Sequence, residues 1–288
     1  MAIWNIRGDP AVKSGLEIVA RLPAKPRRAP PLLFVHGAWH GAWCWEEHFL
    51  GYFASRGFAS YALNLRGHGA SRGARDARFC RIRDFVADVE AAVEQIGGEP
   101  ILIGHSLGGF IVQKYLETHT AELGVLLASV PPGGGLRMVG RIARAMPLAL
   151  LHANLVCSLR PLFSDANKAR RSLFTDRTPE RIVEECRARL QDDVILGLPD
   201  YLFLDLVDPA RINTGMLVFG AGEDRMIDRR DVEATARAYA VEPVMIPEIG
   251  HDLMLDQGWE RAAEAVAAEL DRRLDAGLDR EVRISNVA

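Results

Sequence analysis

Ile101-Leu102-Ile103-Gly104-His105-Ser106-Leu107-Gly108-Gly109-Phe110 is the stretch whose reading decides the fold. An unbroken apolar run such as Ile101–Ile103 fits a strand buried on both faces of a sheet. From Phe110 to Thr118 the pattern becomes helical. A strand that gives way to a helix over so few residues needs a tight turn, and side chains two before and two after Ser106 would strike the neighbouring elements. Gly104 and Gly108 remove that obstacle and leave Ser106 at the tip of the turn. An ordinary turn carrying a surface serine is the plainer alternative, and the fit of strand, turn and helix argues against it.

Outward from this turn the same alternation recurs. Upstream lie strand patterns at Leu32–Val35 and Ala59–Leu65, with helical patterns at Glu46–Arg56, ended by Gly57, and at Ile82–Ile96, stopped by Gly97-Gly98. Downstream come strands at Gly124–Val130, Met216–Phe219 and Pro243–Ile246, and helices at Asp231–Ala240 and from Trp259 to about Leu274. Ile3–Arg7 and Leu16–Arg21 read as a hairpin around Gly8, Asp9, Pro10 and Gly15. Strands separated by helices predict an α/β fold, a mostly parallel sheet with helices on both faces. Residues 131–212 break the alternation with helical patterns only, Leu136–Leu155 and Thr178–Asp192, the latter opened by Thr178 as N-cap and Pro179. The expected organisation is a core of residues 1–130 and 213–275, a helical cap at 131–212 and a loose charged tail at 276–288.

Composition narrows the class. With 49% hydrophobic and 25% charged residues the chain is globular, not disordered or fibrous. No apolar run reaches the roughly 18 residues of a membrane span, since Met146–Val156 is short and broken by Pro147, His152 and Asn154. A net charge of −3 gives no field for nucleic acid, and Arg27-Arg28 and Arg170-Arg171 read as solvated pairs. Cys44, Cys80, Cys157 and Cys186 show no paired spacing, so reduced thiols and no metal are expected. The N-terminus lacks a basic segment followed by an apolar one, and a cytoplasmic protein is the expectation. A homo-oligomer is neither indicated nor excluded.

A serine at its ordinary pKa is a weak nucleophile and needs a base, oriented by an acid. The candidates are His251, just beyond the strand at 243–246, and Asp224, beyond the strand at 216–219. Glu223 is the adjacent rival, but Arg225-Met226-Ile227 resembles the segment that follows such an acid. The exit of the strand before it, Ser129–Gly133, has no carboxylate. Two N–H donors should face the oxyanion formed on attack: Leu107 after the serine, and Ala38 in the loop His36-Gly37-Ala38-Trp39. His36 reads as a hydrogen bonder holding that loop. Trp39 and Met226 are candidates for the substrate pocket, with core packing the other reading for the cluster Trp39, Trp43 and Trp45. Arg66-Gly67-His68-Gly69 lacks dinucleotide spacing and reads as a structural turn.

These pieces resemble the α/β-hydrolase superfamily from Leu32 to the helix at Trp259. Val35–Trp45 and Gly104–Gly109 are similar to the branch of small-ester methyl esterases and hydroxynitrile lyases, and Leu65–Gly69 to bacterial esterases, lysophospholipases and monoacylglycerol lipases. The resemblance implies an eight-stranded sheet, a helical cap, no cofactor, a small-molecule ester substrate and hydrolysis through an acyl-serine. Lyases of that branch carry threonine at the position of Gly37 and lysine after the histidine, where this chain has Asp252, and both departures favour hydrolysis. A carbon–carbon hydrolase, a lyase and a non-catalytic binding protein remain the alternatives. The apolar residues Met138, Met146, Leu148, Leu150, Leu151, Leu155, Leu159, Leu162 and Phe163 point to an apolar acyl pocket under the cap, or else to packing against the core.

Overall fold

A computed structural model describes residues 3–5, 15–71, 77–192 and 195–285. The strands are β1 (Ile3–Asn5), β2 (Glu17–Arg21), β3 (Leu32–Val35), β4 (Ser60–Asn64), β5 (Ile101–His105), β6 (Leu123–Leu127), β7 (Met216–Ala221) and β8 (Val244–Ile246). The helices are α1 (Trp43–Glu46), α2 (Phe49–Ser55), α3 (Ile82–Ile96), α4 (Leu107–Leu116), α5 (Leu136–Ala145), α6 (Pro147–Val156), α7 (Ala166–Leu173), α8 (Glu180–Arg189), α9 (Arg229–Ala238) and α10 (Trp259–Ser285).

One eight-stranded sheet runs β1-β2-β4-β3-β5-β6-β7-β8. β2 pairs antiparallel with both β1 and β4, and every other pairing is parallel. The turn expected at Gly8–Pro10 lies outside the described residues. β3, β5, β6 and β7 are buried along their whole length, as their continuous apolar runs require of strands covered on both faces.

The order of the strands places the site. From β3 the chain goes to β4 on one side and then returns to β5 on the other, so a crevice opens at the carboxyl ends of β3 and β5. The register sets Val35 level with Gly104, which makes the two chains leave the sheet together.

Several boundaries differ from expectation for local reasons. The helix expected over Glu46–Arg56 is split at His48 (φ −138°), whose ring stacks on Trp259 at 4.3 Å. β6 stops at Leu127 because Ala128 takes a left-handed φ of 43°. Leu136–Leu155 is two helices, since Pro147 has no N–H to continue the first and opens the second. Thr178 does not cap α8: Pro179 holds that position, and the Thr178 hydroxyl donates to Asp256 at 2.6 Å. α10 passes Leu274 and Ala276 and reaches Ser285, so the backbone of the expected loose tail is largely helical.

The helices between β6 and β7 sort the apolar residues expected at an acyl pocket. Met138, Met146, Leu162 and Phe163 are buried, whereas Leu148, Leu151 and Leu155 face solvent, so the last three do not line an enclosed pocket. Among the described residues no helix is long and apolar enough to cross a membrane. All four cysteines are free thiols.

Candidate active site

Ser106 stands between β5 and α4 with φ 53° and ψ −117°, a strained conformation for a residue with a side chain. The turn is held by backbone hydrogen bonds: the Ser106 N–H donates to Leu127 O at 3.0 Å, and Ser106 O accepts from Val130 at 3.1 Å. A Cβ on Gly104 would lie 2.6 Å from Gly108 O, and one on Gly108 would press on the carbonyl oxygens of Val35 and His36. Both glycines are thus required by close approach of backbone to backbone.

His251 and Asp224 come to this serine from the exits of β8 and β7. His251 Nε2 is 2.9 Å from Ser106 Oγ, and His251 Nδ1 is 2.7 Å from Asp224 Oδ2. Carboxylate oxygens only accept, so Nδ1 carries the proton and Nε2 is free to accept from the serine hydroxyl. The other oxygen of Asp224 accepts N–H donors from Met226 (2.7 Å) and Ile227 (2.9 Å). Glu223, the rival acid, is paired instead with Arg177 at the surface. Burial pulls the His251 pKa down, but the charge and hydrogen bond of Asp224, with Asp252 behind them, outweigh it and hold it above 6.5.

The loop after β3 closes the other side. A Cβ on Gly37 would lie 3.0 Å from Ser106 Cβ, so Ala38 leaves the sheet against the serine turn. His36 is fully buried; Leu65 N–H donates to its Nε2 at 3.2 Å, and Nδ1 donates to Gly37 O at 2.8 Å. This is the loop-holding role expected of it. Trp39 (φ 66°) packs on Phe163 from the inserted helices, with ring centroids 4.6 Å apart, and Met226 is buried. Trp45 packs on Phe34 and Phe49 in the core. In the Arg66–Gly69 turn, the Arg66 guanidinium and N–H both bind buried Asp88, a structural arrangement.

The part that several groups play in framing the site was not read from the sequence. Arg141 on α5, between β6 and β7, donates to Met226 O at 3.0 Å and pairs with Asp231, bracing the Asp224 turn. Asp256 accepts from Gly250 N–H at 2.8 Å and from the Thr178 hydroxyl, tying the His251 loop to the segment before α8. His105 Nε2 donates to His251 O at 2.9 Å; burial, then the nearby His251, push its pKa down to about 3, so it is neutral. His40, Cys186 and Asp252 bring ligand-type atoms within 4.8 Å of one another, and hydrogen bonds among them account for this closeness. Of these, His40 lies in the Val35–Trp45 motif, His105 lies in the Gly104–Gly109 motif, and Asp252 stands out in the sequence only as a departure from the lyases.

A mostly parallel sheet whose central strand runs into a strained serine turn, with a histidine and an aspartate delivered from later strand exits, defines the α/β hydrolases. The model of the alpha/beta hydrolase family matches residues 32–269, and the chain belongs to that family. It is 34% identical over 105 residues to norfluorocurarine synthase 2 of Strychnos sp, covering 35% of this chain and 38% of that protein. It is 33% identical over 101 residues to methyl jasmonate esterase 1 of Vitis vinifera, covering 34% and 38%. The match thus spans well under half the length of these relatives. A thermophilic esterase from Thermogutta terrifontis superposes with TM-score 0.66 at 18% identity, covering 94% of this chain and 99% of that one, a likeness of fold.

Proposed function

We propose that the protein is a serine carboxylic-ester hydrolase acting on a small-molecule ester with an apolar acyl group. The observation that carries this reading is the unbroken chain from Ser106 Oγ through His251 to Asp224, with distances of 2.9 and 2.7 Å. Ser106 attacks the acyl carbon while His251 Nε2 takes its proton. Leu107 and Ala38 N–H groups receive the oxyanion, and His251 returns the proton to the leaving alcohol. A water activated by His251 then attacks the acyl-serine and releases the acid, restoring Ser106. Helices α5–α8 act as the cap, and Trp39, Phe163 and Met226 border the acyl side.

The similarity to methyl jasmonate esterase 1 supports ester chemistry. A relative named a synthase shares a similar level of identity, so another reaction on the same three residues is the second reading. Hydrolysis of a p-nitrophenyl ester series from C2 to C12 by the wild type and Ser106→Ala separates them. Activity that peaks at one acyl length and vanishes in the variant is expected. Equal negligible rates in both proteins would turn the assignment to non-ester chemistry, to be sought by product analysis.

A further inference from the structure

Three buried groups beside the proposed triad take no part in the reaction above: His40 from the β3 loop, Asp252 next to His251, and Cys186 on α8. His40 Nδ1 lies 2.8 Å from Ala38 O, and Nε2 lies 3.0 Å from Asp252 Oδ2. A carbonyl can only accept, so Nδ1 carries a proton. Nε2 then faces a carboxyl oxygen, and a second proton must be held between those two atoms. Cys186 Sγ donates to the same oxygen at 3.7 Å, while Oδ1 has no partner among the described residues. The Asp252 N–H donates to Leu173 O at 2.9 Å, fixing this residue against the end of α7.

The consequence concerns Ala38. The peptide unit before it is held by His36, through Gly37 O, and the unit after it by His40, through Ala38 O. Peptides are planar, so the His36 bond to Gly37 O sets the direction of the Ala38 N–H, while the His40 bond to Ala38 O fixes the following peptide unit and so holds Ala38 in place from its other side. His36 is anchored on Leu65 N–H, within the core, but His40 is anchored on the residue that follows His251. We propose that the His40–Asp252 bridge positions the oxyanion donor relative to the base, making the loop after β3 and the loop after β8 one mechanical unit. The proposal rests on the serine-hydrolase reading.

The test compares His40→Leu, Asp252→Leu and Asp252→Asn with the wild type. It measures p-nitrophenyl ester kinetics, inhibition by an aryl trifluoromethyl ketone, which forms a tetrahedral adduct, and the thermal midpoint. Both leucine variants are expected to lose about 10- to 100-fold in kcat, and as much in ketone affinity, with KM within about threefold of wild type. Asp252→Asn can donate its amide N–H to His40 Nε2 and is expected to recover kcat to within about threefold. Leucine variants with wild-type kcat overturn the proposal, as does an asparagine variant as impaired as the leucine one. Asp252→Ser, which leaves room for a water, carries the same comparison if the leucine variant does not fold. Wild-type protein that neither hydrolyses esters nor is labelled at Ser106 by a fluorophosphonate overturns the hydrolase reading together with this one; active wild type with unchanged variants overturns this one alone.

Discussion

Asp224 meets His251 at 2.7 Å through one carboxylate oxygen while the other is held by two backbone N–H groups, so the side chain cannot turn over. In Asp224→Asn the amide oxygen stays on those donors and the NH₂ group faces His251 Nδ1. The imidazole must then accept at Nδ1 and carry its proton on Nε2, where it cannot take the proton of Ser106. A loss in kcat on the order of 10³- to 10⁴-fold is expected, with the fold intact by circular dichroism. An asparagine variant keeping a tenth of wild-type kcat would remove Asp224 from the mechanism.

The pH profile follows from the charges around His251. In the proposed mechanism the base works in its neutral form, so kcat/KM is expected to fall as pH drops through the His251 pKa, which is raised from 6.5. Asp224 and Asp252 raise it, Arg141 lowers it, and neutral His105, with its ring 4.7 Å away, adds no charge at working pH. Asp252→Asn is expected to move the acid limb to lower pH, and Arg141→Met to higher pH. Limbs that shift together, or not at all, would show that another group titrates.

Glycines predict opposite signs at two sites. Gly104→Ala puts a methyl 2.6 Å from Gly108 O and the Gly109 Cα, backbone that cannot yield without opening the serine turn. The expected cost is about 3 kcal/mol or more in urea unfolding. Gly51 sits in α2 with nothing within 4 Å of an added Cβ, so Gly51→Ala is expected to stabilise by about 0.5–1 kcal/mol.

The centre of the sheet was legible in the sequence because β3, β5, β6 and β7 are buried on both faces and read as continuous apolar runs, as at Ile101–Ile103 and Leu32–Val35. The three residues now in contact were legible because each lies just beyond a strand, Ser106 and Asp224 after fully buried runs and His251 after the half-buried β8. The bracing groups were not. Arg141 reaches Met226, and Asp252 reaches His40, across 85 and 212 residues of chain. No local pattern marks a partner at that distance. Periodicity also failed where one residue decides, as at Pro147 and at His48, whose break coincides with stacking on a ring far along the chain.

The inserted helices separate surface from pocket by burial. Leu148 and Leu155 on α6 are 80% and 76% exposed, whereas Phe163 is 6% exposed and packs on Trp39. Serine at 148 or 155 removes no buried contact, so unfolding free energy should change by less than about 0.5 kcal/mol and the acyl-length optimum should stay put. Phe163→Ala opens space beside Trp39, next to the loop that carries Ala38. Its cost is about 3–5 kcal/mol, and its acyl optimum should move to longer chains in the p-nitrophenyl series. An optimum that moves in the serine variants and holds in Phe163→Ala would place the acyl chain along the outer face of α6 and not under the insertion.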